Sequence, residues 1–131
     1  LHPPASCPTA LADNDCSAVA RLSYGRLHIL FMGDVGRPGE GLLLAGGAEL
    51  GATVLQVAHH GAAAGTTERL LTAVSPAVAV ISTGAGNSFG HPAQAVLRRL
   101  ASHGTAVWRT DQQGTIEVIS DGERAWVRDQ R

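Results

Sequence analysis

Residues 53–61 read TVLQVAHHG. The first six are mostly β-branched or aliphatic, in a run of strand length. The strand passes directly into two histidines and a glycine. An apolar strand that ends in ligand-type side chains on a glycine-flanked loop is how an open α/β sheet presents chemistry along one rim. The arrangement recurs on both sides. Upstream, residues 27–32 (LHILFM) form a largely buried strand that Gly33-Asp34 ends abruptly. Downstream, residues 77–82 (AVAVIS) are continuously apolar, as in a strand covered on both faces, and the loop 84–90 leads from them to His91-Pro92.

Before this segment, residues 17–23 (SAVARLS) alternate apolar and polar, and Tyr24-Gly25-Arg26 supplies a turn back into residues 27–32. That is a β-hairpin. Pro38 opens a short helix to about Leu44, which Gly46-Gly47 interrupts. Thr66 or Thr67 caps a second helix that runs to about Val74, with Glu68 in its first turn. Pro92 begins a third, whose stripe is Ala95, Val96, Leu97, Leu100 and Ala101 and whose stop is Gly104. Residues 105–109, 115–119 and 124–128 read as three final strands, with turns at Gln113-Gly114 and Asp121-Gly122. The predicted fold class is therefore α/β: an N-terminal β-hairpin, alternating strands and helices, and a C-terminal β-meander. Helices on one side of such a sheet leave its other face apolar, so this is half of a layered domain. Alone, it is expected to hide that face by self-association or by rearranged strands.

The 131 residues suffice for one domain. Hydrophobic residues at 44% and charged residues at 16% describe a folded chain rather than a disordered one. Aromatics are only 4%, so the core is built from Val, Leu, Ile and Ala. A formal net charge of −1 excludes tight nucleic-acid binding through a global field, and any such partner needs a local site. No apolar run approaches the roughly 20 residues that span a bilayer, and no leader pattern is visible. The chain opens at Leu1 with a Pro-rich stretch, so residues 1–12 read as a linker within a longer polypeptide and residues 13–131 as the folded part. The compartment is then set by parts outside this sequence. Cys7 and Cys16 match no zinc spacing. They read as two unpaired thiols, a single bridge being open to them in an oxidising compartment.

Asp34, His59, His60 and His91 all follow consecutive strands. Imidazole and carboxylate are natural ligands of zinc or manganese, and a carboxylate with two free oxygens can bridge two metals. Each also has a plainer reading: Gly33-Asp34 as a turn, His59-His60-Gly61 as a solvated loop, His91 as a helix-entry residue. Their common position after successive buried strands favours the site. His28 reads as a sheet-face or core histidine, His103 as a partner of a helix C-terminus, and His2 as part of the linker.

The run Asn14-Asp15-Cys16-Ser17, then RLSYGRLHILFMGD (21–34), VLQVAHHG (54–61) and AVISTGAGNSFGHP (79–92), followed by a helix, resembles the ComEC family in order and spacing. The likeness extends from about Asp13 to Val118. It implies a metallo-β-lactamase-like αββα sandwich, of which this chain is the C-terminal half. It also implies a membrane-embedded bacterial parent of the inner membrane that takes up transforming DNA, with this domain soluble, extracytoplasmic or membrane-adjacent, and acting as a nuclease on one strand. In such domains two divalent metals, zinc or manganese, lie between the halves and activate water against a phosphodiester. The first half supplies an H-x-H-x-D-H cluster. The resemblance assigns the bridging ligand to Asp34 and the later histidine ligand to His60, with His59 second. His91 would contact the scissile phosphate or shape its pocket, and Asn14 or Asp15 falls where related enzymes place an additional ligand.

Two departures bear on this. No H-x-H-x-D-H occurs in the sequence, so these residues alone are expected to hold at most half of a dinuclear site and not to turn over substrate. Ala62-Ala63-Ala64-Gly65 follows HHG where relatives often carry Ser. An alternative is a non-catalytic docking or DNA-guiding module with a decayed metal site. A third keeps the superfamily but changes the substrate, to a lactone or a phosphocholine ester.

Overall fold

The hairpin forms where alternation and turn chemistry agree. Strand β1 (Ala20–Tyr24) pairs antiparallel with β2 (Leu27–Phe31). Gly25, at φ +56°, occupies the turn, and a side chain there would collide with the backbone of Gly122. The computed structural model describes residues 1–3, 7–8 and 10–130. Among them the chain continues through α1 (Arg37–Ala45), β3 (Val54–Gln56), α2 (Glu68–Val74), β4 (Val78–Ile81), α3 (Gln94–Ser102), β5 (Ala106–Arg109), the single-turn α4 (Thr110–Gln113), β6 (Thr115–Ser120) and β7 (Ala125–Gln130).

The large sheet has the order β1-β2-β3-β4-β5, with every pair after the first parallel. A strand order that advances one step per crossover, with a helix in each, places all the helices on one face. The packing agrees. Leu43 of α1, Leu70, Leu71 and Val74 of α2, and Val96 and Leu100 of α3 join Leu30, Leu55, Ala79 and Ile81 of the sheet in one buried cluster. The other face carries the row Leu22, Ile29, Val54, Val78 and the row Phe31, Gln56, Val80, Trp108. On it Leu22, Tyr24 and Phe31 remain 49%, 56% and 41% exposed.

Two expectations need correction. The three final strands are not a meander. β5 pairs parallel with β4, because α3 carries the chain across the sheet before it, and α4 then turns the chain out of the sheet. Only β6 and β7 pair antiparallel, as a separate two-stranded sheet whose turn meets the first hairpin through Arg26 N–H donating to Gly122 O at 2.6 Å. The cysteines are not unpaired thiols either. Cys7 and Cys16 are joined as a disulfide, their Cα atoms 6.0 Å apart. The bridge holds the N-terminal segment beside the 3₁₀ turn Asp13–Cys16. There His2 is buried, bonds Asp15 O through Nε2 at 2.7 Å, and forms a β-bridge with Val19. No helix among the described residues is long and apolar enough to cross a membrane.

Candidate metal and phosphate site

Parallel pairing brings the exits of β2, β3 and β4 to the same edge, and hydrogen bonds lock the exit loops together. His59 N–H donates to Gly33 O at 2.8 Å, Val57 N–H to Val80 O at 2.9 Å, and Ala93 N–H to Gly61 O at 2.8 Å. Gln56 Oε1 accepts from Met32 N–H at 3.0 Å. Thr110 accepts from Thr83 N–H at 2.8 Å through Oγ1 and donates to Thr83 O. The loops that carry Asp34, the histidine pair and His91 are thus one stitched rim.

The backbone at the histidine pair is unusual. His59 (φ 50°, ψ 44°) and His60 (φ 55°, ψ 21°) are both left-handed, and Gly61 follows at φ +82°. A non-glycine residue in this region costs about 1–3 kcal/mol and persists where the surroundings dictate it, as at functional sites. Here the surroundings are the Gly33 and Pro92 loops on either side. A Cβ on Gly61 would stand 2.6 Å from Cβ of Pro92.

That conformation aims His60. Its Nδ1 lies 2.7 Å from Ser82 O. A carbonyl only accepts, so Nδ1 carries the proton and the neutral ring keeps a lone pair on Nε2. Nε2 faces Asp34 Oδ1 across 3.7 Å, too far for a hydrogen bond. A histidine fixed by a carbonyl on one nitrogen, with the other nitrogen turned to a carboxylate, has the orientation of a metal ligand. Both side chains are about half exposed, at 51% and 44%, so the gap opens to solvent.

The other histidines cluster around this pair. The His59 ring centroid is 6.4 Å from that of His60 and 6.0 Å from that of His91. The His91 ring lies against Phe89, 5.8 Å between centroids and 21° between planes. Asn87, which carries no chemistry in the sequence reading, holds this loop. Its Oδ1 accepts from His91 N–H at 3.0 Å, and its Nδ2 donates to His91 O at 2.7 Å and Gly84 O at 3.0 Å. The one signal for it in the sequence is its place four residues before His91. His60, Ser82, Thr83, Asn87, Phe89 and His91 line a cavity of about 300 Å³.

Asp34, His59, His60 and His91 are therefore brought together. Asn14 and Asp15 stand apart from them in what they do. Asn14 is exposed in the 3₁₀ turn. Asp15 is buried, and its Oδ1 accepts from Gly36 N–H at 3.0 Å and Gly39 N–H at 3.3 Å, which caps α1. Among the described residues no three His, Cys, Asp or Glu side chains form a group able to hold a metal ion. The chemistry of the pair Asp34–His60 fits zinc or manganese only as part of a larger ligand set.

Similarity to known proteins runs through most of the chain. No family model matches it. It is 36% identical over 110 residues to ComE operon protein 3 of Bacillus subtilis (strain 168), which covers 84% of this chain and 14% of that protein. It is 38% identical over 106 residues to Competence protein ComA of Neisseria gonorrhoeae, 80% of this chain and 15% of that one. Recombination protein 2 of Haemophilus influenzae (strain ATCC 51907 / DSM 11121 / KW20 / Rd) shares 33% over 120 residues, 92% and 15% respectively. The chain thus matches only 14–15% of the length of these curated relatives.

Proposed function

The chain belongs to the ComEC family of competence proteins, and on that ground we propose that residues 13–131 are the C-terminal half of a metallo-β-lactamase-like phosphodiesterase domain. The preceding half-domain of the parent supplies the remaining ligands, and the substrate is a strand of transforming DNA. The domain sits beside the bacterial inner membrane in which the parent is embedded.

One observation carries this reading: the Nδ1 contact to Ser82 O turns the Nε2 lone pair of His60 toward Asp34. The one-sided helix layer supports it, because a sheet with all its helices on a single face has the layering of half an αββα sandwich. In the proposed site Asp34 and His60 hold metal, with His59 as a second histidine. Two divalent ions held there would neutralise the developing charge on a phosphodiester and lower the pKa of bound water. His91, held by Asn87, positions the phosphate. The His59 ring lies within 6.4 Å of the His60 ring and 6.0 Å of the His91 ring, centroid to centroid, so it adjoins both. By themselves residues 13–131 complete neither coordination sphere, so the reaction requires the other half.

The test is hydrolysis of a phosphodiester by the intact parent. Asp34→Ala with His60→Ala is expected to abolish metal-dependent cleavage, and full retention of activity would overturn the assignment. A second reading, a docking or DNA-guiding module without catalysis, is favoured by the exposed methyls of Ala63 and Ala64 beside the histidine pair, which give a phosphate no hydrogen bond. It predicts a well-folded parent that binds DNA and cleaves nothing.

A further inference from the structure

Phe89 is 80% exposed, the most exposed large apolar side chain among the described residues. Isolated apolar residues on a surface need no explanation. Phe89 is not isolated in that sense. It lines the cavity with His60, Ser82, Thr83, Asn87 and His91, and one face of its ring lies against the His91 imidazole.

Its loop is also held in place. Asn87 ties the backbone on both sides of Phe89, to Gly84 O before it and to His91 N–H and O after it. Gly86 and Gly90, at φ +68° and +69°, supply left-handed bends on either side of it. The ring is therefore presented to solvent by a preorganised loop rather than left out of a core. Burial contributes nothing to holding it there.

An aromatic face at the mouth of a cavity lined by histidines and hydroxyls suits a ligand with a π-face next to an anionic group. A nucleotide within a single strand has that chemistry. Duplex DNA does not offer it, because its bases are stacked on each other. We propose that Phe89 is a nucleobase-stacking residue, which makes this cavity selective for single-stranded nucleic acid over other phosphoesters. The proposal rests on the reading of the His60–His91 cavity as the phosphodiester site. Phe89 binds the base through the ring face turned away from His91, and the histidine side of the cavity takes the adjoining phosphate.

The test uses the domain extended upstream by the preceding half and two probes: a short oligothymidylate, and an abasic sugar–phosphate backbone of the same length. Binding is followed by fluorescence anisotropy and by the NMR shifts of the histidine rings. Phe89→Ala is expected to weaken oligothymidylate binding roughly 5- to 150-fold, the range for loss of one base–aromatic stack. Phe89→Tyr should restore it, Phe89→Leu should not, and binding of the abasic backbone should stay the same in all three. Because the side chain is exposed, the variants keep the wild-type melting temperature as a folding control.

Oligothymidylate binding unchanged in Phe89→Ala, alongside histidine shifts with both probes, overturns the stacking role and leaves the phosphodiester reading standing. Rescue by Phe89→Leu as complete as by Phe89→Tyr also overturns it, in favour of a generic apolar contact such as a protein partner. A wild-type extended domain whose histidines respond to neither probe overturns the phosphodiester reading and the stacking role together.

Discussion

Glu40 is 1% exposed, and its carboxylate binds the start of α2 from beneath. One oxygen accepts from Thr66 N–H and the other from Thr67 N–H at 3.0 Å, while Arg99 ties the same loop through Thr66 O and Gly65 O. Burial raises the Glu40 pKa above the ordinary 4.5, and the bonds from Thr67 and Thr66 and the charge of Arg99 only partly oppose it. Arg37, Glu68, Arg69 and Arg99 share the adjoining cavity with it. The folded state thus holds this proton more tightly than the unfolded state does. The contribution to stability is full below pH 4.5 and is lost as pH rises through the raised value. The stability of wild type relative to Glu40→Gln should therefore fall as pH rises from below 4.5 to neutrality, in denaturant titrations at each pH. A difference that does not change with pH would contradict this. Asp111 and Asp121 act in the opposite sense: the Arg109 side chain lowers one, and backbone N–H groups of Arg124 and Glu123 lower the other. The comparison within a pair of variants removes their contribution. Nothing in the sequence around Glu40 marks it, because burial of a lone glutamate two residues after a proline depends on what packs above it.

Among the elements, the histidine loop depends on Gly61. Its φ of +82° and the 2.6 Å that would separate an added methyl from Pro92 leave no room for alanine. Gly61→Ala should destabilise the fold by more than about 1 kcal/mol, measured by chemical denaturation, and should displace His60 from Ser82. An unchanged midpoint with unchanged histidine NMR shifts would count against the locked rim. Thr67 accepts from Leu70 N–H through its side chain at 3.3 Å and caps α2, so Thr67→Ala should cost about 1 kcal/mol in the same assay. An effect under a few tenths would mean that Glu40 alone holds that helix start. Most elements are legible in the sequence because period and punctuation coincide, as in the hairpin around Gly25 and in helix α2 after Thr67. The expected meander fails because strands 105–109 and 115–119 look alike in composition. Only the crossover by α3 makes the first of them parallel and sends it to the sheet edge. The Cys7–Cys16 pairing and the docking of His2 on Asp15 are not legible, since both are contacts between an irregular segment and a surface that exists only once folded.

For the whole molecule, the sheet has a face clad by helices and a face without helices, on which Val54 and Leu27 are buried but other apolar side chains are not. Leu22, Tyr24 and Phe31 expose apolar area on that second face, opposite the helices. In the proposed sandwich the preceding half-domain covers it. The chain by itself should therefore associate as concentration rises, and replacing Leu22 and Phe31 by Ser should reduce that association in sedimentation equilibrium. A wild-type chain that stays monomeric at high concentration would contradict the expectation. The same geometry explains why the candidate site is legible only in part. Asp34, His59, His60 and His91 are recognisable because each follows a strand, whereas in the proposed site their completion lies across an interface that no residue of this sequence spells out. The decisive quantity is the metal content of the domain extended upstream by roughly 100–150 residues, the span of one further domain half. About two divalent ions per chain are expected, as in a two-metal hydrolase, with loss of metal in Asp34→Ala and in His60→Ala. A well-folded extended domain that binds no metal, or that binds it equally well without Asp34 and His60, would refute the proposed metal site.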